Sequence, residues 1–210
     1  MNTPTAAPRP ERIAIAPSIL YFGTPVVLIV TRNPDGSANI TPMSSAWALG
    51  QRVVLGLLAS GQGAANLRRE GDCTLNIASA ALWPQVERIA AVTGAAPVPA
   101  EKAAMGFRHA ADKFALGGFA PVPSDLVAPP CIADCPLQFE ARLAACHPAG
   151  AGPAEILTFE LDVLRVHAHR EIVIPGTQHI DTARWDPLFY VFRHYFGQAR
   201  DLGRTWRAEA

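Results

Sequence analysis

Charge is scarce in this 210-residue chain. Lys and Arg total 18, Asp and Glu total 18, and charged residues make up 17% of the sequence, against roughly 25% in ordinary globular domains. A formal net charge of zero leaves no electrostatic footprint for DNA, RNA or an acidic membrane surface. Long apolar runs are missing too: nothing approaches the roughly 18 uninterrupted residues that span a bilayer. The four cysteines, Cys73, Cys131, Cys135 and Cys146, are too few for a disulfide framework, so a cytoplasmic setting is expected. Gly-x-Ser-x-Gly, Walker and Gly-x-Gly-x-x-Gly patterns do not occur, which removes the usual sequence support for a serine hydrolase or a nucleotide-binding loop.

Glycine (16) and proline (19) are plentiful, and half the residues are hydrophobic, 37 of them alanine. That mixture predicts turns and short strands, with apolar surface left over that a homo-oligomer would cover. Thr24 to Thr31 is a β-branched apolar run that suits a buried strand. Asn33-Pro34-Asp35-Gly36 is a turn, and Ser37 to Thr41 alternates polar and apolar, completing a hairpin. Arg52 to Ala59 reads as a second buried strand, with Gly56 marking a bend or a close backbone approach. Ala64 to Glu70 is a short helix stopped by Gly71, and Cys73 to Ala78 returns as a strand. Leu82 to Val92 and Pro99 to Gly106 have helical character, and residues 117–136 form a proline-rich loop. Leu137 to Cys146 and Glu155 to His167 make a long antiparallel pair across a turn at Gly150, Gly152 and Pro153. The expected architecture is mainly β: one antiparallel barrel with short helices, an extended aromatic C-terminal segment and a flexible lead-in. The lead-in covers residues 1–17 and the single domain residues 18–210. Met1 to Pro10 lacks the basic start and apolar run of a signal peptide.

Two constellations invite a metal reading. Cys131-x3-Cys135 has tolerable zinc spacing, with Cys146-His147 further on. Prolines flank the pair, however, and neighbours on a strand point to opposite faces, so buried structural cysteines are the preferred reading. His167-x-His169 share a strand face, but no carboxylate is evident to complete a site. No metal is expected.

Asn39-Ile-Thr-Pro-Met-Ser-Ser-Ala-Trp47 carries more. A strand ends at a proline, two serines follow where amides turn outward, and a tryptophan closes the run. Those are the donors and the aromatic that a planar polar ligand with a phosphate tail requires; they are equally a strand end with a buried tryptophan. Ser60-Gly61-Gln62-Gly63 then leads into the helix holding Asn66, Arg68 and Arg69, and a Gly-rich turn into a helix N-terminus is an anion site.

These residues resemble the flavin reductase-like family of FMN-binding split barrels. The resemblance lies in Phe22-Gly-Thr-Pro-Val, Asp35-Gly-Ser-x-Asn39, Pro42-Met-Ser-Ser-x-Trp47, Val54-Leu-Gly-Leu, Asn66-Leu and Ala128-Pro-Pro-Cys-Ile-Ala-Asp-Cys-Pro-Leu. The final third, with Pro175-Gly-Thr-Gln-His179, Trp185-Asp-Pro-Leu and Phe192-Arg-His-Tyr-Phe-Gly197, looks like a branch with its own tail. The likeness implies an antiparallel split β-barrel, a homodimer, and FMN held noncovalently near the subunit interface. It implies that Pro42, Met43, Ser44, Ser45, Ala46 and Trp47 face the ring and ribityl chain. Ser60, Gly61, Gln62, Gly63, Asn66 and Arg68 would hold the phosphate. Two departures stand out: Gly63 occupies a position where the family often has a threonine donor, with Arg68 or Arg69 as the compensating groups. The stretch Gly152-Pro153-Ala154-Glu155 also lacks the histidine of many reductases.

The expected function is an FMN-dependent oxidoreductase of flavin reductase type, with NAD(P)H as candidate hydride donor, free flavin or a small molecule as substrate, and an oxygenase as candidate partner. An oxidoreductase acting on an organic substrate with tightly held FMN is the alternative, and a non-catalytic flavin-binding dimer is a third reading. Gln178 to Gly197 are expected over the flavin site. His179 and His194 are the candidate proton-transfer residues, since imidazole titrates near neutral pH. The rings of that segment would otherwise simply pin the C-terminus to the barrel.

Overall fold

The structure is a computed structural model that describes residues 12–150, 155–198 and 200–203. In chain order its elements are β1 (Phe22–Pro25), β2 (Val27–Arg32), β3 (Ala38–Met43), β4 (Ala46–Leu49), β5 (Arg52–Leu58), α1 (Gln62–Glu70), β6 (Asp72–Ile77), α2 (Trp83–Ala90), β7 (Val92–Thr93), α3 (Ala100–Ala104), β8 (Arg108–His109), α4 (Lys113–Gly117), β9 (Pro121–Val122), β10 (Cys131–Ile132), β11 (Leu137–Ala149), β12 (Ile156–Ala168), β13 (Phe189–Val191) and β14 (His194–Phe196). Seven of the strands form one antiparallel sheet in the order β3-β2-β6-β11-β12-β5-β4.

Side-chain alternation along β2 shows how that sheet folds on itself. Val27 and Ile29 share a core with Val53, Leu55 and Leu57 of β5 and with Phe159 of β12, although β6, β11 and β12 separate β2 from β5 in the sheet. A flat sheet cannot bring these strands together, so the sheet coils around a common interior, which Ala64 and Leu67 of α1 help to fill. Leu28 and Val30 point the other way, as strand geometry requires, into a second core with Ile40, with Val86 and Ile89 of α2, and with Phe114 of α4. Burial on both faces is why this strand reads as a continuous apolar run. The two edge strands β3 and β4 follow each other in the chain through Ser44 and Ser45, yet pair with β2 and β5 and not with each other. The barrel is split at this corner.

The long pair Leu137–Ala149 and Ile156–Ala168 matches its expected strands. Residues 1–11 of the expected lead-in, the turn residues Gly152 and Pro153, and residues 204–210 lie outside the described residues. One expected strand is two: the run beginning at Thr24 breaks at Val26, whose N–H donates to Leu188 O at 2.7 Å. That break releases β1 to form a separate three-stranded sheet, β1-β13-β14, with the C-terminal segment. Leu188 is itself buried and donates to Ala78 O, so the tail is stitched onto the barrel.

His167 is a second correction, because carboxylates do stand beside it. Nε2 lies 2.6 Å from Oε1 of Glu140, and Asp125, Glu140 and His167 bring ligand atoms within 4.8 Å of one another. The group is already satisfied: Glu140, fully buried, accepts from the amides of Asp125, Leu126 and Val127, and Arg165 holds Asp125. It is a latch that fixes the proline-rich loop against β11. Burial would raise the Glu140 pKa, but the Asp125 amide, His167 and the Leu126 amide outweigh it and the net shift is downward from 4.5. A carboxylate with a lowered folded pKa stabilises fully above its unfolded value and loses that contribution as pH falls through the folded one. Glu140→Gln is therefore expected to cost about 2–3 kcal/mol at pH 7 in denaturant unfolding. The cost should shrink as pH drops below about 4.5, the unfolded reference.

Candidate functional site

A cleft of about 780 Å³ opens where the β3–β4 corner, the first turn of α1, α2 and the β13–β14 hairpin meet. Pro42 and Met43 line it at the end of β3, and Ser44 and Ser45 line the split corner. A proline is tolerated here because β3 is an edge strand whose ladder needs no donor on that side. Ser45 is held from two directions: its hydroxyl lies 2.9 Å from the Tyr21 hydroxyl, and its carbonyl accepts from Gly56 N–H at 2.9 Å.

The other wall is the start of α1. Gly61 is the N-cap and offers no side-chain cap, so the first-turn amides have no partner within the helix. Gln62, Gly63 and Ala64 all line the cleft. Gly63 is required by space: a methyl group there would overlap Oγ1 of Thr41. Thr41 also lines the cleft, and its Oγ1 accepts from Nδ2 of Asn39 at 3.2 Å, which leaves the hydroxyl proton free to donate elsewhere. Beside it, Asn39 Oδ1 is buried with no partner among the described residues.

Charge in the cleft is lopsided for a chain of zero net charge. Lys102, Lys113 and Arg193 line it against a single carboxylate, Glu87, among the described residues. Lys102 of the α3 helix is half-buried beside Gly61, with its Nζ over the Phe107 ring at 5.9 Å, and burial lowers its pKa. Lys113 is 3% exposed and donates to Ile40 O at 2.7 Å. Burial, with Lys102 adding to it, pushes the Lys113 pKa down to about 8. Tyr21, Tyr190 and Tyr195 form the aromatic part, with ring centroids 5.4 Å apart for Tyr21–Tyr190 and 5.5 Å apart for Tyr190–Tyr195. Tyr195 donates to Glu87 at 3.0 Å, and burial together with that carboxylate raises its pKa.

The residues singled out in the sequence divide into two sets. Pro42, Met43, Ser44, Ser45, Gly61, Gln62 and Gly63 are brought together around the cleft. Ala46 is buried in the barrel interior, and Trp47 lies on β4 at 59% exposure, outside the cleft lining. Ser60 is exposed and bonds Glu101. Asn66 is buried, donating to Thr31 and Asn33 and accepting from Gln62 and Arg69, so all four of its hydrogen-bonding positions are taken within the fold. Arg68 is exposed away from the cleft, and Arg69 is tied to the Arg32 carbonyl and Asn66. The cation beside the α1 turn is Lys102. His194 is exposed, and neither it nor His179 lines the cleft; the neighbours Arg193 and Tyr195 do. His179 instead closes a local turn, its N–H donating to Thr177 Oγ1.

A coiled, split antiparallel sheet with a cationic cleft at its split corner is the architecture of this chain. The chain belongs to the flavin reductase like domain family, whose profile matches residues 19–198. It is 39% identical over 195 residues to the uncharacterized protein YdfE of Bacillus subtilis (strain 168), covering 93% of each chain. Among solved structures it is similar to the flavoredoxin of Desulfovibrio vulgaris (Miyazaki F), with a TM-score of 0.75 and 20% identity over 94% of this chain and 98% of that one. Nitrilotriacetate monooxygenase component B from Bacillus cereus matches with a TM-score of 0.73 and 14% identity, over 93% of this chain and all of that one (100%).

The Gly63–Thr41 contact can be tested without any ligand. Gly63→Ala should destabilise the fold by about 1–3 kcal/mol through overpacking, despite alanine's better helix propensity. Most of that loss should return in the Gly63→Ala, Thr41→Ala double variant, measured by denaturant unfolding. Additive losses would place the strain elsewhere.

Proposed function

We propose that the chain is an FMN-dependent oxidoreductase of flavin reductase type, with NAD(P)H as hydride donor. The observation that carries the reading is the uncapped first turn of α1, with the Thr41 hydroxyl and Lys102 beside it, in a cleft walled by the Met43–Ser45 corner. Free amides, one hydroxyl donor and a lysine are suited to a phosphate monoester. Thr41 supplies from β3 the hydroxyl that residue 63 cannot supply, and Gly63 makes room for it. The bound flavin would supply the ring that accepts hydride and passes electrons on. The protein's part is to donate to the ring edge from the Ser44–Ser45 corner, hold the phosphate, and keep water from the reacting face.

A homodimer belongs to the same reading. β1 and β4 are neighbours, and they present Phe22, Trp47 and Leu49 at 79%, 59% and 76% exposure, apolar surface that a second copy would cover. Trp47 would then serve the interface, and light scattering should give twice the 22.4 kDa chain mass. The reading is completed by a cytoplasmic setting, free flavin or a small molecule as substrate, and an oxygenase as candidate partner.

Titration with FMN, FAD and riboflavin, followed by anaerobic bleaching with NADH or NADPH, tests the assignment. Thr41→Val and Lys102→Met should each weaken FMN by about tenfold or more while changing riboflavin little, since each removes one interaction with a charged group. Equal losses for both ligands would remove the phosphate from this turn. A pH series adds an independent check. Lys113 is protonated below about 8 and attracts an anion, and it is neutral above. FMN affinity should therefore fall as pH rises through about 8, while riboflavin affinity stays level.

A further inference from the structure

We propose that Arg193 is the anion-selecting residue of this cleft, and that the molecule exchanging electrons there is planar and carries a carboxylate or phosphate. The inference rests on the flavin reading of the cleft and adds the chemistry of the second ligand.

The β13–β14 hairpin has a two-residue loop, since Val191 pairs with His194 and leaves Phe192 and Arg193 between them. Both loop residues take positive φ, 42° and 72°, as the tight turn matching strand twist demands. Asn-Gly or Gly-Gly normally fills such a turn, because residues with a Cβ are strained in the left-handed region. Here an aromatic residue and an arginine bear that strain. Non-glycine residues held in such conformations concentrate at functional sites, where the strain positions a side chain.

The side chain so positioned is a cation at the mouth of the cleft. Arg193 is exposed, lines the cleft, and takes no hydrogen bond or ion pair among the described residues. Glu87, the lining carboxylate, accepts the Tyr195 hydroxyl. Tyr190 and Tyr195, on the strands flanking the turn, also line the cleft, and Tyr21 fixes the loop by accepting the Phe192 N–H at 2.7 Å. A guanidinium offers paired in-plane donors that fit a carboxylate or phosphate. The adjacent rings offer a surface on which a planar body rests.

The experiment uses the full chain loaded with FMN and compares it with Arg193→Ala, Arg193→Lys and Arg193→Gly. Benzoate is titrated against its neutral isostere benzamide by perturbation of the flavin absorbance, and NADPH is compared with NADH by the rate of anaerobic bleaching. If no flavin is retained, the functional reading above fails on its own. Tryptophan fluorescence of the same protein then still gives the benzoate-to-benzamide ratio. The expected result is a preference of about tenfold for the more anionic member of at least one pair. That preference should vanish in Arg193→Ala and Arg193→Gly and persist in part in Arg193→Lys. A response confined to the benzoate pair identifies a carboxylate substrate, and one confined to the NADPH pair identifies a nucleotide phosphate. Arg193→Gly should also melt a few degrees higher than the parent, because glycine relieves the turn. No preference in the parent protein, or one that survives Arg193→Ala, overturns the proposal. So does an Arg193→Gly variant that loses the preference while melting lower, since the loss would then follow from a damaged hairpin.

Discussion

The cleft depends on a buried amide that never enters it. Asn66 of α1 donates to Thr31 at the end of β2 and to Asn33 of the following turn, while its oxygen accepts from Gln62 and Arg69. One side chain thereby joins both turns of the helix to the strand it packs on, at 1% exposure. Losing it would leave Thr31 and Asn33 with unmet groups in a low-dielectric setting, where each costs about 1–3 kcal/mol. Because Gln62 is both a partner of Asn66 and a lining residue, this network sets the position of the free amides. The Gly63–Thr41 contact then fixes the distance between helix and β3 from the other side. The helix is thus pinned at two points, one of them in its first turn.

Beside that wall the electrostatics of the free protein are unfavourable. Lys113 keeps one hydrogen bond, to Ile40 O, in a nearly closed environment, and its lowered pKa expresses the cost of burying the charged form. Lys102 nearby adds repulsion. An anionic ligand would offset both costs at once. On the proposed reading, stability surrendered in the free protein would return as affinity for a negatively charged ligand. The neutral balance of the whole chain conceals this, because net charge reports nothing about where the charges fall.

Local signals made the backbone of the site legible. Pro42 to Ser45 and Gly61 to Gly63 could be read because a proline at a strand end and a Gly-rich helix start are short-range features with short-range causes. The barrel was legible for the same reason, from runs such as Thr24 to Thr31 and Glu155 to His167, which contain most of β2 and β12. The charged side chains were not. Lys102 and Lys113 come from α3 and α4 and Arg193 from a turn some eighty residues further on, and no spacing rule relates them to β3 or α1. Arg68 and Arg69 share the helix with the amides, but they sit in its last turn, away from its N-terminal end. Asn66 poses a related ambiguity: a buried polar residue near a cleft wall serves the fold or a ligand, and its hydrogen-bond partners here lie within the fold.

The C-terminal segment shows how fine that limit is. His194 and Arg193 are adjacent, one opening β14 and the other in the tight turn before it, and a one-residue shift of the hairpin would exchange their places. A three-residue strand carries too little alternation to fix its own register. Here the register is set by pairing with β13, which is in turn set by the β1 pairing that the break at Val26 allows. The decision about which side chain of the tail meets the cleft is thus made some 165 residues earlier in the chain, at a backbone amide that leaves the main sheet to bond Leu188. Sequence reasoning could place chemistry in the tail, but the tail alone does not contain the information that selects arginine and tyrosine over histidine.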